Sequence, residues 1–184
     1  MVQSSNDDSG VSPATSPYPL ISFAAGGGTE SFRAEGRIDT KITSTGTDAD
    51  TAEKTLWTFT LPANTLSADG ITIIVEAGGA FAANANTKTL KLAFGAFAIT
   101  LNNVTTAPNG VNWVSRHVFK RITATAFMRS GYTLVGSAAQ AANNNTSGLT
   151  LDPTIANIIK ITGTNGTASL NDIVCNHVDL LFRA

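Results

Sequence analysis

The sequence predicts an all-β protein, an antiparallel β-sandwich, and two observations support that prediction. Short runs of β-branched and aromatic residues alternate with polar ones, most clearly over Lys54–Leu61, where threonines separate Trp57, Phe59 and Leu61. Period-two alternation indicates a strand with one buried and one solvated face. Clusters of Gly, Pro, Asn, Asp and Ser separate these runs, and no run keeps helical spacing for long. Eight or nine strands are predicted, as expected of sandwiches and jelly rolls.

The first half of the chain contains five of these strands. Gly36 indicates a bulge or bend in the first, and Pro62 ends the second. The third is nearly continuously apolar, which predicts burial on both faces, and Gly78-Gly79 should break it. Gly95 separates the fourth strand from the fifth. The five strands are predicted over Phe32–Ile42, Lys54–Leu61, Ile71–Ala77, Thr87–Phe94 and Phe97–Leu101.

The longest predicted strand, Val111–Met128, follows the turn signal Asn109-Gly110. It carries apolar residues at both odd and even positions, and therefore on both of its faces. Such a strand can face the core on one side and another subunit on the other. We therefore predict candidate inter-subunit contacts on this strand and on the last one, through Trp113, His117, Phe119 and His177. The remaining strands are predicted over Gly131–Val135, Thr154–Thr162 and Ile173–Phe182, with Ser137–Gly148 as a low-complexity loop.

Composition bears on the class of partner. Twelve basic and thirteen acidic residues give a net charge of −1, whereas a nucleic-acid-binding chain would show a basic surplus. No signal peptide and no membrane-spanning run is expected. Only 14% of residues are charged, against roughly 25% in ordinary domains. Solvated strand faces built from Thr, Asn, Ser and Ala require little ionic desolvation, which favours contact with other protein subunits.

The first 30 residues form a separate compositional zone, polar and punctuated by proline, ahead of the sandwich predicted over residues 31–184. One interpretation is a disordered tail, as is common at chain termini. The other is an extended arm that lies across a neighbouring subunit. In the second interpretation the arm is anchored by its large apolar side chains, Tyr18, Leu20, Ile21 and Phe23.

Residues that could carry chemistry are few. Cys175 and His177 lie two apart in a predicted strand, so alternation places them on one face together with Asp179. We interpret them as a buried cysteine beside an interface histidine, in preference to a nucleophile and its base. The carboxylates are scattered singly, although glycosidase carboxylates can come from distant strands. We therefore predict no enzymatic activity, no catalytic or metal-binding residue, and no cofactor.

The segment Leu56–Gly95 resembles a recurrent domain of structural proteins from tailed bacteriophages and prophages. Two motifs carry the resemblance, TLPANTL at Thr60–Leu66 and FAANANTKTL at Phe81–Leu90, and the apolar final strand Val174–Phe182 adds to it. The resemblance covers residues 55–184 and implies a jelly-roll, TNF-like sandwich that assembles as a symmetric homo-oligomer, expected to be a trimer. This chain departs from the family in its N-terminal arm and in lacking a long stalk.

The leading hypothesis is a capsid decoration (cement) protein on the virion surface, which contacts its own copies and the major capsid protein. The alternative is a receptor-binding module at a tail or head-fibre tip, with the exposed loops Asn102–Gly110 and Ser137–Gly148 meeting the host surface. Those loops hold no aromatic residue, which disfavours sugar binding through them. A glycan-cleaving enzyme is disfavoured by the scattered carboxylates.

Overall fold

A computed structural model of the chain describes residues 35–102, 109–136, 138–139 and 146–184. Within those ranges the protein is built from twelve β-strands and contains no helix. The strands are β1 (Glu35–Lys41), β2 (Thr45–Gly46), β3 (Lys54–Leu61), β4 (Thr72–Phe81), β5 (Lys88–Phe94), β6 (Phe97–Thr100), β7 (Asn112–Arg121), β8 (Ala126–Val135), β9 (Ala138–Ala139), β10 (Thr146–Thr150), β11 (Asn157–Asn165) and β12 (Ile173–Arg183).

The strands form two antiparallel sheets. The large sheet has the order β1-β12-β4-β7-β8-β10, with β2 also paired to β12 and β9 to β8; the small sheet has the order β3-β11-β5-β6. Eight of these strands form nested pairs in which β1 joins β12, β3 joins β11, β4 joins β7 and β5 joins β6. Pairing of the first strand with the last, and of inner strands with one another, is the connectivity of a jelly roll. The predicted jelly-roll sandwich is confirmed, with β8, β9 and β10 extending the large sheet.

The core lies between the two sheets. In β5 the burial alternates strictly along the strand, and Leu90, Leu92 and Phe94 point inward. The rings of Phe94 from the small sheet and Phe119 from the large sheet meet edge to face, with centroids 5.2 Å apart and planes at 87°. Edge-to-face geometry is the favoured aromatic contact. The two sheets therefore share one aromatic and aliphatic core.

Several strand limits differ from the prediction, first in β4, which continues through Gly78 and Gly79 instead of ending there. A Cβ at Gly79 would collide with the carbonyl oxygen of Val174 on β12 and come within 2.8 Å of Trp113 Nε1 on β7. These glycines allow neighbouring groups to approach the strand closely; they do not interrupt it.

The predicted long strand Val111–Met128 is two strands, because the chain turns at residues 122–125 between β7 and β8. The backbone N–H groups of Ile122 and Thr123 both bond to the carbonyl of Ala126, which closes the turn. The bulge in β1 falls between Arg37 and Asp39, not at Gly36. β9 and β10 lie inside or next to the stretch predicted to be a loop.

Candidate functional surfaces

Three of the four residues predicted on inter-subunit strand faces point into the protomer. Trp113, His117 and Phe119 lie on the inward parity of β7, and each is at most 2% exposed. Their prediction as contacts with another subunit is therefore wrong, because their side chains are already enclosed between the two sheets. The alternate residues of β7, which include Val114 and Arg116, face outward.

The predicted arm lies outside the described residues. This applies to its boundary at residue 30 and to its predicted anchors, Tyr18, Leu20, Ile21 and Phe23.

The prediction that Cys175 and His177 share a face is also wrong. Cys175 pairs with Gly79 and His177 with the adjacent Gly78, so Asn176 is an extra residue in β12. Since side chains alternate along a strand, one inserted residue reverses the faces of all that follow. The Cys175 thiol is fully buried, and burial raises its pKa to about 11, whereas His177 is exposed. A high pKa suppresses the reactive thiolate.

His117 belongs to a buried polar row between the sheets. Its Nε2 lies 3.2 Å from Thr133 Oγ1, and Thr133 donates to Ser115 Oγ at 3.3 Å. The tautomer of His117 sets which of Nε2 and the Thr133 hydroxyl donates in this contact. Nδ1 of His117 is buried without a hydrogen-bond partner in the structure. Burial, and secondarily the charge of Arg129, lowers the pKa of His117 to about 4.

The FAANANTKTL motif builds a structural loop. Lys88 is 3% exposed, and its ammonium donates to the carbonyl and side-chain oxygens of Asn84, at 3.0 and 2.8 Å, and to the carbonyl of Asn86 at 3.0 Å. The amides of Asn84 and Asn86 in turn donate to the buried carboxylate of Asp172 at 2.6 and 2.9 Å. Burial alone would raise the pKa of Asp172, but these hydrogen bonds, a further one from Ser169 and the charge of Lys88 together outweigh it, and the pKa is lowered. The loop explains the residue types of the motif without invoking a ligand.

The outer face of the small sheet carries mostly small, uncharged side chains. Ile158, which is 51% exposed, and Lys160 and Lys91 interrupt it, and Lys91 pairs with Glu53 at 2.8 Å. We call it the Thr/Ala face, after its small members Thr58, Thr60, Ala93, Ala98 and Thr100. Few ionic groups would need desolvation if another protein covered this face.

The outer face of the large sheet has a shallow depression of about 240 Å³ at its centre. We call it the outer depression; it is lined by Glu76, Ala77, Val114, Ser115, Arg116, Tyr132 and His177. Gly78 on β4 lies between His177 and Val114, its neighbours on the adjacent strands. A Cβ at Gly78 would collide with the His177 ring, so the glycine allows this ring to lie close against β4 beside the depression.

Charged, aromatic and aliphatic side chains lie around the outer depression. Asp179, Glu76, Arg116 and Tyr132 are successive cross-strand neighbours on β12, β4, β7 and β8. Arg116 Nε donates to Glu76 Oε1 at 2.8 Å, and both side chains stay well exposed, at 37% and 43%. Val114 and Tyr132 are each 45% exposed. Sequence inspection missed this site because its residues come from four strands, and because the face of β7 that carries Trp113, and not the one that carries Val114 and Arg116, was expected to point outward.

Of the predicted site residues that the structure describes, only His177 lies on an exposed face. Within the described residues, no three His, Cys, Asp or Glu side chains are close enough together to hold a metal ion. The same part of the chain has no helix of sufficient length and apolarity to span a membrane.

No protein-family model, curated protein or solved structure matches the chain.

Proposed function

We propose that this protein is a non-enzymatic structural protein of a tailed-bacteriophage virion, a capsid decoration protein that stabilises the head as a homotrimer on the particle surface. The Thr/Ala face is the observation that carries the proposal. The resemblance of Thr60–Leu66 and Phe81–Leu90 to phage virion proteins supports the phage particle as the place where the protein acts. The partners are copies of the chain and the major capsid protein, with no nucleic acid, membrane or cofactor involved.

The Thr/Ala face suits cementing because the sandwich already has a complete core between its sheets. A decoration protein must fold before it binds, then bury an outer surface against a pre-assembled shell. Short side chains lose little conformational entropy when they are covered, unlike long charged ones. A specific interface buries roughly 800 Å² on each partner, and the outer face of a four-stranded sheet offers contact area of this kind.

The N-terminal segment supplies the second contact. Thirty-four residues precede β1, and an extended chain spans at most about 3.3–3.6 Å per residue, so the segment can reach a neighbouring subunit. Its apolar side chains, Tyr18, Leu20, Ile21 and Phe23, would anchor it there. An arm adds buried area at the cost of ordering the chain when it binds.

Removal of residues 1–28 tests the arm. The truncated protein should remain a folded oligomer by circular dichroism and sedimentation equilibrium, because the sandwich keeps its core. It should no longer stay on capsids of the encoding phage after they are stripped and reloaded, measured by gradient sedimentation. Capsid occupancy equal to that of the full chain would contradict the proposed role of the arm.

A charge placed on the Thr/Ala face tests the face itself. Ala98→Glu adds a carboxylate to β6, where Ala98 is exposed; we expect it to lower capsid occupancy or dissociate the trimer. The matched control is Ala124→Glu, in the exposed turn between β7 and β8, which should leave both unchanged. Equal behaviour of the two variants would exclude this face as the contact.

A receptor-binding module at a fibre tip is the second candidate, and the outer depression is the observation that favours it. A module of this kind presents polar and aromatic groups to the host surface, as Arg116, Glu76 and Tyr132 do here. Parts of the loops Asn102–Gly110 and Ser137–Gly148, predicted to meet the host, lie outside the described residues. Purified protein should compete with phage for adsorption if this candidate holds, and should not if cementing is the sole role.

A further inference from the structure

We propose that the outer depression binds a neutral saccharide, about one sugar ring deep, on the open face of the large sheet. The inference goes beyond the decoration role, since a glycan site on the solvent face is compatible with a protein cemented by its other face. It rests on three properties of the depression: its charge balance, its exposed apolar side chains and its position within the sheet.

The charge balance favours a neutral ligand. Glu76 and Arg116, the carboxylate and the guanidinium that line the depression, pair with each other at 2.8 Å. An anion would meet the carboxylate of Glu76, and a cation would meet the guanidinium of Arg116. A hydroxyl group is both donor and acceptor. Vicinal sugar hydroxyls can therefore accept from the guanidinium of Arg116 while donating to the carboxylate of Glu76.

The apolar groups of the depression fit the other side of a sugar. Tyr132 and Val114 are each 45% exposed and line the depression next to the Glu76–Arg116 pair. Aromatic side chains give large contact area with little loss of rotamer entropy. The C–H face of a pyranose can pack on Tyr132, and the phenolic hydroxyl remains available for a hydrogen bond. Small-ligand sites combine apolar lining with a few polar groups in this way.

The position within the sheet disfavours a peptide ligand. An extended peptide binds a sheet by adding a strand to a free edge. The depression lies over β12, β4, β7 and β8, and each of these strands has a paired strand on both sides. Main-chain pairing is therefore not offered at this site, and a ligand must bind through side chains. The volume of about 240 Å³ lies below the roughly 300–1,000 Å³ of pockets for drug-sized ligands, which fits a single sugar unit.

Titration of the ¹⁵N-labelled full chain with soluble saccharides, followed by amide chemical shifts, tests the proposal. The probes are maltose, lactose, cellobiose and di-N-acetylchitobiose, with glucose 1-phosphate as the anionic comparison. We expect at least one neutral probe to shift the amides of Gly78, Val114 and Tyr132 saturably, with a dissociation constant below about 10 mM. The phosphorylated probe should not bind more tightly than the neutral ones.

Variants at Tyr132 separate binding from folding, because the spectrum of each variant reports its own fold. Tyr132→Ala should weaken binding about tenfold or more, whereas Tyr132→Phe retains the ring and should stay within a few-fold of the parent chain. Leu170→Ala, at a 63% exposed apolar position in the loop before β12, is the matched control and should leave the saccharide affinity unchanged.

The inference would be overturned if no neutral probe binds in this range, if the shifts map away from the depression, or if the affinity survives Tyr132→Ala. A shift at the depression caused only by a protein added from the phage particle would identify a protein contact and also overturn it. Because these measurements use the isolated chain, a negative result would not bear on the proposed decoration role, which is tested by capsid occupancy. Conversely, loss of the decoration role would not remove saccharide binding.

Discussion

Acidification should destabilise the fold through His117. This imidazole is fully buried, bonds through Nε2 to Thr133, and leaves Nδ1 facing the space beside Gly131, which has no side chain. Protonation of the neutral ring would place a charge in the core near Arg129, which is itself 3% exposed. Burial and the Arg129 charge both favour the neutral ring, so the pKa falls from 6.5 to about 4.

The direction and size of the effect follow from linkage between protonation and folding. Between pH 6.5 and about 4 the unfolded chain binds a proton at His117 and the folded chain does not. Stability therefore falls as the pH drops through this window, and this group contributes no further loss below it. The difference between the two pKa values corresponds to about 3 kcal/mol of unfolding free energy, of which roughly 2 kcal/mol should be lost by pH 4.5.

Urea unfolding at pH 7.0 and pH 4.5 measures this loss. Carboxylates also titrate in acid, so the informative quantity is the difference in pH dependence between the parent chain and His117→Gln, which cannot take up the proton. The variant should be less stable than the parent at pH 7 but should lose less stability on acidification, by roughly 2 kcal/mol. His177→Gln, at an exposed position on β12, should match the parent. The reasoning is refuted if His117→Gln and the parent lose the same free energy.

Two further predictions concern features that sequence inspection misjudged or left unexplained. Gly79→Ala should destabilise the protein by more than about 2 kcal/mol, because the added methyl group collides with the backbone of Val174; Gly36→Ala, which meets nothing within 4 Å, should cost far less in the same chemical denaturation assay. Lys88→Met should cost on the order of 3 kcal/mol, because it leaves three loop oxygens without their donor. Thermal melting that is unchanged in Lys88→Met would show that the loop does not depend on the ammonium.

Sequence patterns predicted the strands best where only one parity was apolar. The interval Lys54–Leu61 is predicted and observed with the same limits, because large apolar residues and threonines alternate along it. The Thr- and Ala-rich outer surface follows from the same alternation. In β7 both parities are apolar, and the wrong one was expected to face a second subunit. Nothing local distinguishes Trp113 from Val114 in direction, since the choice depends on which face the small sheet covers.

The sequence by itself determined the class of fold, the strand-rich composition and the low charge of the surface. Only the tertiary structure decided which residues meet. One bulge at Asn176 separates Cys175 from His177. Gly78 and Gly79 continue their strand, since a backbone carbonyl and two side chains of the neighbouring strands occupy the space where their Cβ atoms would lie. The outer depression assembles from β12, β4 and the β7–β8 hairpin, three segments that lie far apart in the chain. Strand alternation is a local property with a period of two residues, whereas register, bulges and strand order are set by packing between distant segments.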